Sequence, residues 1–217
     1  MRNTVVRLTS LTLKNIKNVK NGTIIMPRAD EKKFEGCKAE ILGIYGQNGS
    51  GKTAIVDALY FLQNIMTGEK LEQSILDYID TDEVNAEVNA EFKIFEDSIL
   101  YEVGYHILVS KADNVSVIER EYLNCAINKD GYRTNKNIFM DYQRTQSEVV
   151  FTPLKRLEEL VGKDKNAKMD LIVARKMAER GNYSYIFGKE SREIFFKQRE
   201  GFKEYATVIH ALFNSAV

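Results

Sequence analysis

The apolar pattern of this 217-residue chain predicts an α/β fold, and three observations carry the prediction. A glycine-rich stretch, Gly46 to Thr53, joins a short apolar run to a segment of helical period. From Val84 the apolar residues recur at every second position, as in strands with one buried face. Beyond Pro153 the period returns to that of amphipathic helices.

Residues 5 to 13 alternate, with Val5, Leu11 and Leu13 on one parity, and read as a first strand. Asn21-Gly22 is a hairpin signal, so Thr23 to Met26 is expected as the return strand. Residues 27 to 36 are polar and charged, hence a loop. Glu40-Ile41-Leu42-Gly43-Ile44-Tyr45 reads as a buried strand. Ile55, Ala58, Leu59, Leu62 and Ile65 place a helix over residues 51 to about 66, with Gly68 as its stop. Leu71, Ser74, Ile75 and Tyr78 suggest a short helix between 69 and 82.

Val84, Ala86, Val88, Ala90, Phe92 and Ile94 then share one face, and Asn85, Glu87, Asn89, Glu91 and Lys93 the other. Glu96-Asp97 turns the chain, and Ile99, Tyr101, Val103, Tyr105, Ile107 and Val109 repeat the pattern. Asp113-Asn114 turns into residues 115 to 127, and Lys129-Asp130-Gly131 follows. The expected product is an antiparallel meander with one wet face, on which His106 lies as a solvated side chain. After Pro153, Leu154, Leu157, Leu160 and Val161 stripe a helix ending at Gly162. Met169, Ile172, Val173, Lys176 and Met177 mark a second, capped by Gly181. A third runs from about Glu190 through Ile194, Phe195, Phe202, Tyr205, Val208, Ile209 and Leu212.

Gly46-Gln47-Asn48-Gly49-Ser50-Gly51-Lys52-Thr53 fits G-x-x-x-x-G-K-S/T, the phosphate-binding loop of nucleotide hydrolases. A triphosphate is a dense anion, and backbone N–H groups turning into a helix N-terminus offer it donors and partial positive charge. Gly46, Gly49 and Gly51 let the backbone come close to phosphate oxygens. Lys52 would reach the β- and γ-phosphates, and the Thr53 hydroxyl would ligate Mg²⁺. A strand before the loop and a helix after it is the order the motif requires.

Composition sets outer bounds. Lys plus Arg and Asp plus Glu are both 31, so no net charge draws the chain to nucleic acid or membrane. The charges are segregated: residues 69 to 122 hold four basic against fourteen acidic side chains, and residues 1 to 33 eight against two. Cys37 and Cys125 suit neither a disulfide framework nor a zinc ribbon, and His106 and His210 lack metal-ligand spacing. No leader or bilayer-length apolar run is read, so a soluble, cytoplasmic protein is expected.

Asn48 to Thr53, followed by Asp57-Ala58-Leu59, resembles the loop of ABC-type ATPases. Within these it is most similar to the chromosome-maintenance and DNA-repair branch of the AAA family ATPases: SMC-like proteins, the RecF family and the overcoming-lysogenisation-defect nucleases. Leu8 through Val19 is similar to that group's opening strand and Asn-Phe-(Arg/Lys) turn, with Ile16 where an aromatic residue is usual. The resemblance covers residues 5 to 66. It implies an α/β P-loop NTPase, lobe one of an ABC-type head, with an antiparallel β meander and a C-terminal helical segment. Residues 1–150 would form the nucleotide-binding lobe and 151–217 the helical segment. By the same resemblance ATP and Mg²⁺ are the cofactors, and Lys17 and Asn18 become contacts of the nucleotide. In the family a glutamine in this part of lobe one can reach Mg²⁺ and water, and Gln73 is the one between the first helix and the next strands, but an exposed helix residue explains it better.

A family member also needs an apolar strand ending in Asp-Glu and a signature loop from a second head. Lys93-Ile94-Phe95-Glu96-Asp97 lies in the meander and Met169-Asp170-Leu171 on a helix, so neither serves. The expectation is therefore the N-terminal half of a longer ATPase, inactive by itself, with a C-terminal half and a second head as partners. DNA or a nuclease effector would be further partners, in DNA maintenance or anti-phage defence. The helical stripe through Phe195, Phe202 and Val208 is expected to be exposed. The alternative is a nucleotide-binding regulatory or assembly module that binds without turnover.

Overall fold

The computed structural model describes residues 4–30, 41–113, 115–144, 149–152, 165–197 and 203–217. Strands β1 (Thr4–Ile16), β2 (Val19–Ile25), β3 (Asn85–Glu96), β4 (Ile99–Ala112), β5 (Val115–Lys129), β6 (Tyr132–Arg133), β7 (Asn137–Arg144) and β8 (Val149–Thr152) form one sheet. Its order is β2-β1-β3-β4-β5-β7-β8, with β6 on β5, and every pairing is antiparallel. The helices are α1 (Lys52–Met66), α2 (Lys165–Glu179), α3 (Lys189–Lys197) and α4 (Lys203–Ala216), with a 3-10 turn at Gln73–Tyr78.

The period-two reading of the meander matches the sheet. Ala86, Val88, Ala90, Phe92 and Ile94 of β3 and Tyr101, Val103, Tyr105, Ile107 and Val109 of β4 are buried. The opposite face carries ion pairs, among them Lys14–Glu87 at 2.7 Å between β1 and β3 and, from the β6–β7 connection, Lys136–Glu91 at 2.8 Å. One face is thus dry and the other wet.

α1 and α4 cover the dry face. α1 turns Ala54, Ala58, Phe61, Leu62, Ile65 and Met66 inward, and α4 turns Tyr205, Val208, Ile209 and Leu212 inward, into one core with Leu11, Val88 and Val103. Each large side chain buried this way stabilises the fold by about 1.5–3 kcal/mol. Gln63 Nε2 donates to the Ala216 carbonyl at 2.7 Å, tying α1 to α4. Phe139 of β7 stacks on Tyr205 with centroids 4.1 Å apart. Val208 is fully buried, which corrects the expectation of an exposed stripe there; the sheet supplies the covering surface.

Four expectations change. Asn21-Gly22 is not a turn but part of β2, paired with Lys14 and Leu13; the two-residue turn is Lys17-Asn18. The reason is tertiary. Asp80 N–H donates to the Asn15 carbonyl at 2.9 Å and Lys17 N–H to the Tyr78 carbonyl at 2.6 Å, so the end of β1 is clamped where the chain reverses. Residues 41–47 form no strand, and Ile41 and Tyr45 stand 94% and 95% exposed. A buried strand needs neighbours on both sides, and among the described residues every strand pairs elsewhere.

α2 turns inward its small residues Ala167, Ala174 and Ala178, leaving Met169, Ile172 and Val173 exposed. The tight fit is visible where Tyr142 Oη donates to the Ala178 carbonyl at 2.8 Å. The third helix is two, α3 and α4, packed side by side, with the Arg192 guanidinium 3.8 Å from the Phe213 ring centroid. The helix expected over 154–162 lies outside the described residues, as do Phe195's side chain and Phe202. β7 and β8 had no counterpart in the sequence reading.

Candidate functional site

The glycine loop leads directly into α1. Gly49 and Gly51 have φ of 83° and 89°, the left-handed region closed to most residues. Gly51 is the residue before the first helical turn, makes no side-chain cap, and no acid stands in that turn. The first N–H groups of α1 are therefore unsatisfied by any capping side chain, and the helix dipole is uncompensated. A Cβ on Gly51 would lie 2.6 Å from Val19 Cγ2, so the loop is seated directly against the β1–β2 turn.

Lys52 folds back over the loop. Its Nζ donates to the Gly46 and Gln47 carbonyls, each at 2.7 Å, and reaches Ser50 Oγ at 3.4 Å. Ser50 N–H donates to the Gln47 carbonyl at 3.2 Å, closing the turn. The ammonium is thereby held at the mouth of the helix. Thr53 is exposed in the first turn of α1. This donor set suits a polyphosphate, with the Thr53 hydroxyl free to meet a hard cation.

The structure brings Lys17 and Asn18 to the same place. Asn18 Nδ2 donates to the Gly49 carbonyl. Lys17 Nζ pairs with Asp57 of α1 and lies 5.4 Å from the Tyr78 ring centroid. The sequence marks Asp57 only through the Asp57-Ala58-Leu59 resemblance; its spacing of four from Thr53, one turn along the same helix face, is the signal that singles it out. Burial raises the Tyr78 hydroxyl above its usual range, with the Asp57 carboxylate adding to the effect.

Other residues named from sequence stand apart from the loop. Gln73 is exposed at the start of the 3-10 turn. His106 is not freely solvated but half-buried on the wet face, 3.3 Å from Glu87 Oε2. Burial lowers its pKa, and Glu87 opposes that shift. His210 Nδ1 meets Asn214 Nδ2 at 2.7 Å on α4, and no metal-binding cluster exists among the described residues. Cys125 is buried, which pushes its thiol up to about 12, an inert state. Cys37 lies outside the described residues. Asp97 is in the β3–β4 turn and Asp170 on α2, as the pattern indicated.

Sequence reasoning missed Glu121. It is buried on β5 among apolar neighbours and accepts from Tyr105 Oη at 2.5 Å, from Ser184 Oγ, and from the Tyr185 and Ile186 N–H groups at 2.8 and 3.3 Å. Nothing in a charged residue between Arg120 and Tyr122 announces that it points inward.

The chain is similar to known proteins along most of its length. A family described as an AAA domain matches residues 10–207. The DNA replication and repair protein RecF of Deinococcus radiodurans is 33% identical over 99 residues, 46% of this chain and 24% of that protein. The structure of the recombination mediator protein RecF with ATP aligns over 98% of this chain and 54% of that one, at 15% identity and a TM-score of 0.34. The chain thus spans between a quarter and about half of these relatives. No described helix is long and apolar enough to cross a membrane. With the family matched across residues 10–207, the phosphate-loop motif included, this chain belongs to the AAA domain family.

Proposed function

We propose that the chain binds ATP, with the triphosphate on the loop Gly46–Thr53. The observation that carries this reading is the uncapped start of α1 beside a lysine held at the loop's mouth. Backbone N–H groups from Gly49 to Thr53 would bind phosphate oxygens, Lys52 the β- and γ-phosphates, and the Thr53 hydroxyl Mg²⁺. Gly46, Gln47, Asn48 and Ser50 shape the cradle, and Lys17 and Asn18 flank it. Bound ATP with Mg²⁺ supplies the phosphoanhydride chemistry; these residues bind, orient and neutralise.

The wider reading is an ATPase of DNA maintenance or anti-phage defence whose remaining catalytic motifs come from further polypeptide and a second head. The RecF relative supports the first part. The exposure of Ile41, Tyr45, Val56 and Tyr60, on the run before the loop and the outer side of α1, supports the second, since apolar surface of this kind is covered in assembled proteins. A module that binds nucleotide without turnover is the second reading. What supports it is that the carboxylate in contact with the turn beside the loop, Asp57, faces a lysine.

Lys52→Ala tests the assignment. Equilibrium titration with MgATP should show at least a tenfold loss of affinity, with the circular dichroism spectrum unchanged. Equal affinity in a folded variant overturns it.

A further inference from the structure

Asp57 has a position that the loop motif does not explain. It lies in the second turn of α1, beyond reach of the helix start, yet its carboxylate turns toward the β1–β2 turn and takes the Lys17 ammonium. Lys17 is held there three times over. Its φ is 51°, its N–H donates to the Tyr78 carbonyl at 2.6 Å, and its ammonium lies 5.4 Å from the Tyr78 ring. The next side chain, Asn18, is bonded to the loop at Gly49. Thr53 and Asp57 are four residues apart and share a helix face, so Lys17 is fixed one turn along the face that carries the Thr53 hydroxyl.

A free lysine at a turn would sweep a wide volume and lose much rotamer entropy on meeting a phosphate. A lysine already ordered loses less on binding, and a carboxylate is the partner that can order it and still release it to a more highly charged anion. We infer that Asp57 is a positioning residue that holds Lys17 ready as a second cation for the terminal phosphate of a nucleoside triphosphate. The inference rests on the nucleotide-binding reading of the loop, and it predicts a sign opposite to plain electrostatics. Removing a negative charge beside an anion site should by itself tighten anion binding. Removing a positioning carboxylate should weaken it, and more for the triphosphate than for the diphosphate.

The experiment titrates the chain with MgATP and MgADP by calorimetry, for wild type, Lys52→Ala, Lys17→Ala, Asp57→Asn, Asp57→Glu and the Lys17→Ala/Asp57→Asn double variant. Melting curves show which variants fold. Asp57→Asn should lose about tenfold in ATP affinity and less in ADP affinity, the scale of one charge-assisted contact. Asp57→Glu should recover most of the loss, and once Lys17 is gone Asp57→Asn should cause no further loss. Tighter or unchanged ATP binding in Asp57→Asn, or losses that simply add in the double variant, overturn the positioning role while leaving the loop assignment intact. ATP binding absent in wild type, or unaffected by Lys52→Ala, overturns the nucleotide reading itself. If Asp57→Asn does not fold, the ATP-to-ADP affinity ratio of Asp57→Glu against Lys17→Ala decides: Lys17→Ala must lower it and Asp57→Glu must retain it.

Discussion

Glu121 is fully buried on β5, and its two oxygens accept four hydrogen bonds, one from Tyr105 of β4 and three that hold residues 184–186 against the sheet. Desolvation raises its carboxyl pKa, and the four donors oppose that shift. A carboxyl whose folded pKa lies above its unfolded value contributes most when protonated. Its contribution is full below the unfolded pKa, near 4.5, and declines as pH rises through the folded one. Glu121→Gln keeps the shape and removes the titration, with its amide oxygen accepting from the Tyr185 and Ile186 N–H groups and its NH2 facing the Tyr105 and Ser184 hydroxyls, which can accept. Urea unfolding should therefore show wild type losing stability relative to Glu121→Gln as pH rises. Glu121→Leu, which strands four donors, should cost roughly 3 kcal/mol or more at any pH. A pH-independent difference between wild type and the glutamine variant would refute the linkage. The sequence hid this residue because strand parity says which face a side chain takes only once register and bulges are known, and the β4–β5 ladder shifts between Leu108 and Val109.

At the scale of the element, α1 begins on a residue that only glycine can supply. Gly51 sits at φ 89°, and a methyl group there would meet Val19 Cγ2 at 2.6 Å. Gly51→Ala should cost about 1–2 kcal/mol of backbone strain and push the loop away from the Lys17-Asn18 turn. The expected result is a lower melting temperature together with loss of ATP affinity; wild-type values for both would mean the loop tolerates another path. The motif and the helical period made this element legible. They did not locate the hairpin, since Asn21-Gly22 is the stronger local turn signal and the Asn15–Asp80 and Lys17–Tyr78 hydrogen bonds override it. Nor did period alone choose the buried face of α2, where close approach to Tyr142 selects alanines over the larger Met169, Ile172 and Val173.

For the whole molecule, the central question is turnover. Phosphoryl transfer depends on positioning the attacking water and stabilising the transferring group, and losing one such contribution costs on the order of a hundredfold or more. Among the described contacts of the loop and its flanking turn, Asp57 is the carboxylate present, and it faces the Lys17 ammonium from the second turn of α1, as a lysine partner and not as a group that positions water. Phosphate release by this chain should therefore equal that of its Lys52→Ala variant at every concentration. Magnesium-dependent release that vanishes in the variant would mean that a complete hydrolytic site is present.

The sequence by itself determined the glycine loop, the helix after it, the two-faced meander and the α/β class, because each is written in local spacing: glycines at fixed intervals, period two, period 3.6. The tertiary structure decided what depends on partners distant in the chain. It placed the β1–β2 turn at Lys17, left residues 41–47 without a strand, turned Glu121 inward and Met169 outward, and joined Asp57 to Lys17 across forty residues. Local propensity is worth only tenths of a kcal/mol per residue, whereas a clamped backbone, a covered sheet face or a satisfied buried carboxylate is worth several times more. Where the two compete, contact prevails over pattern.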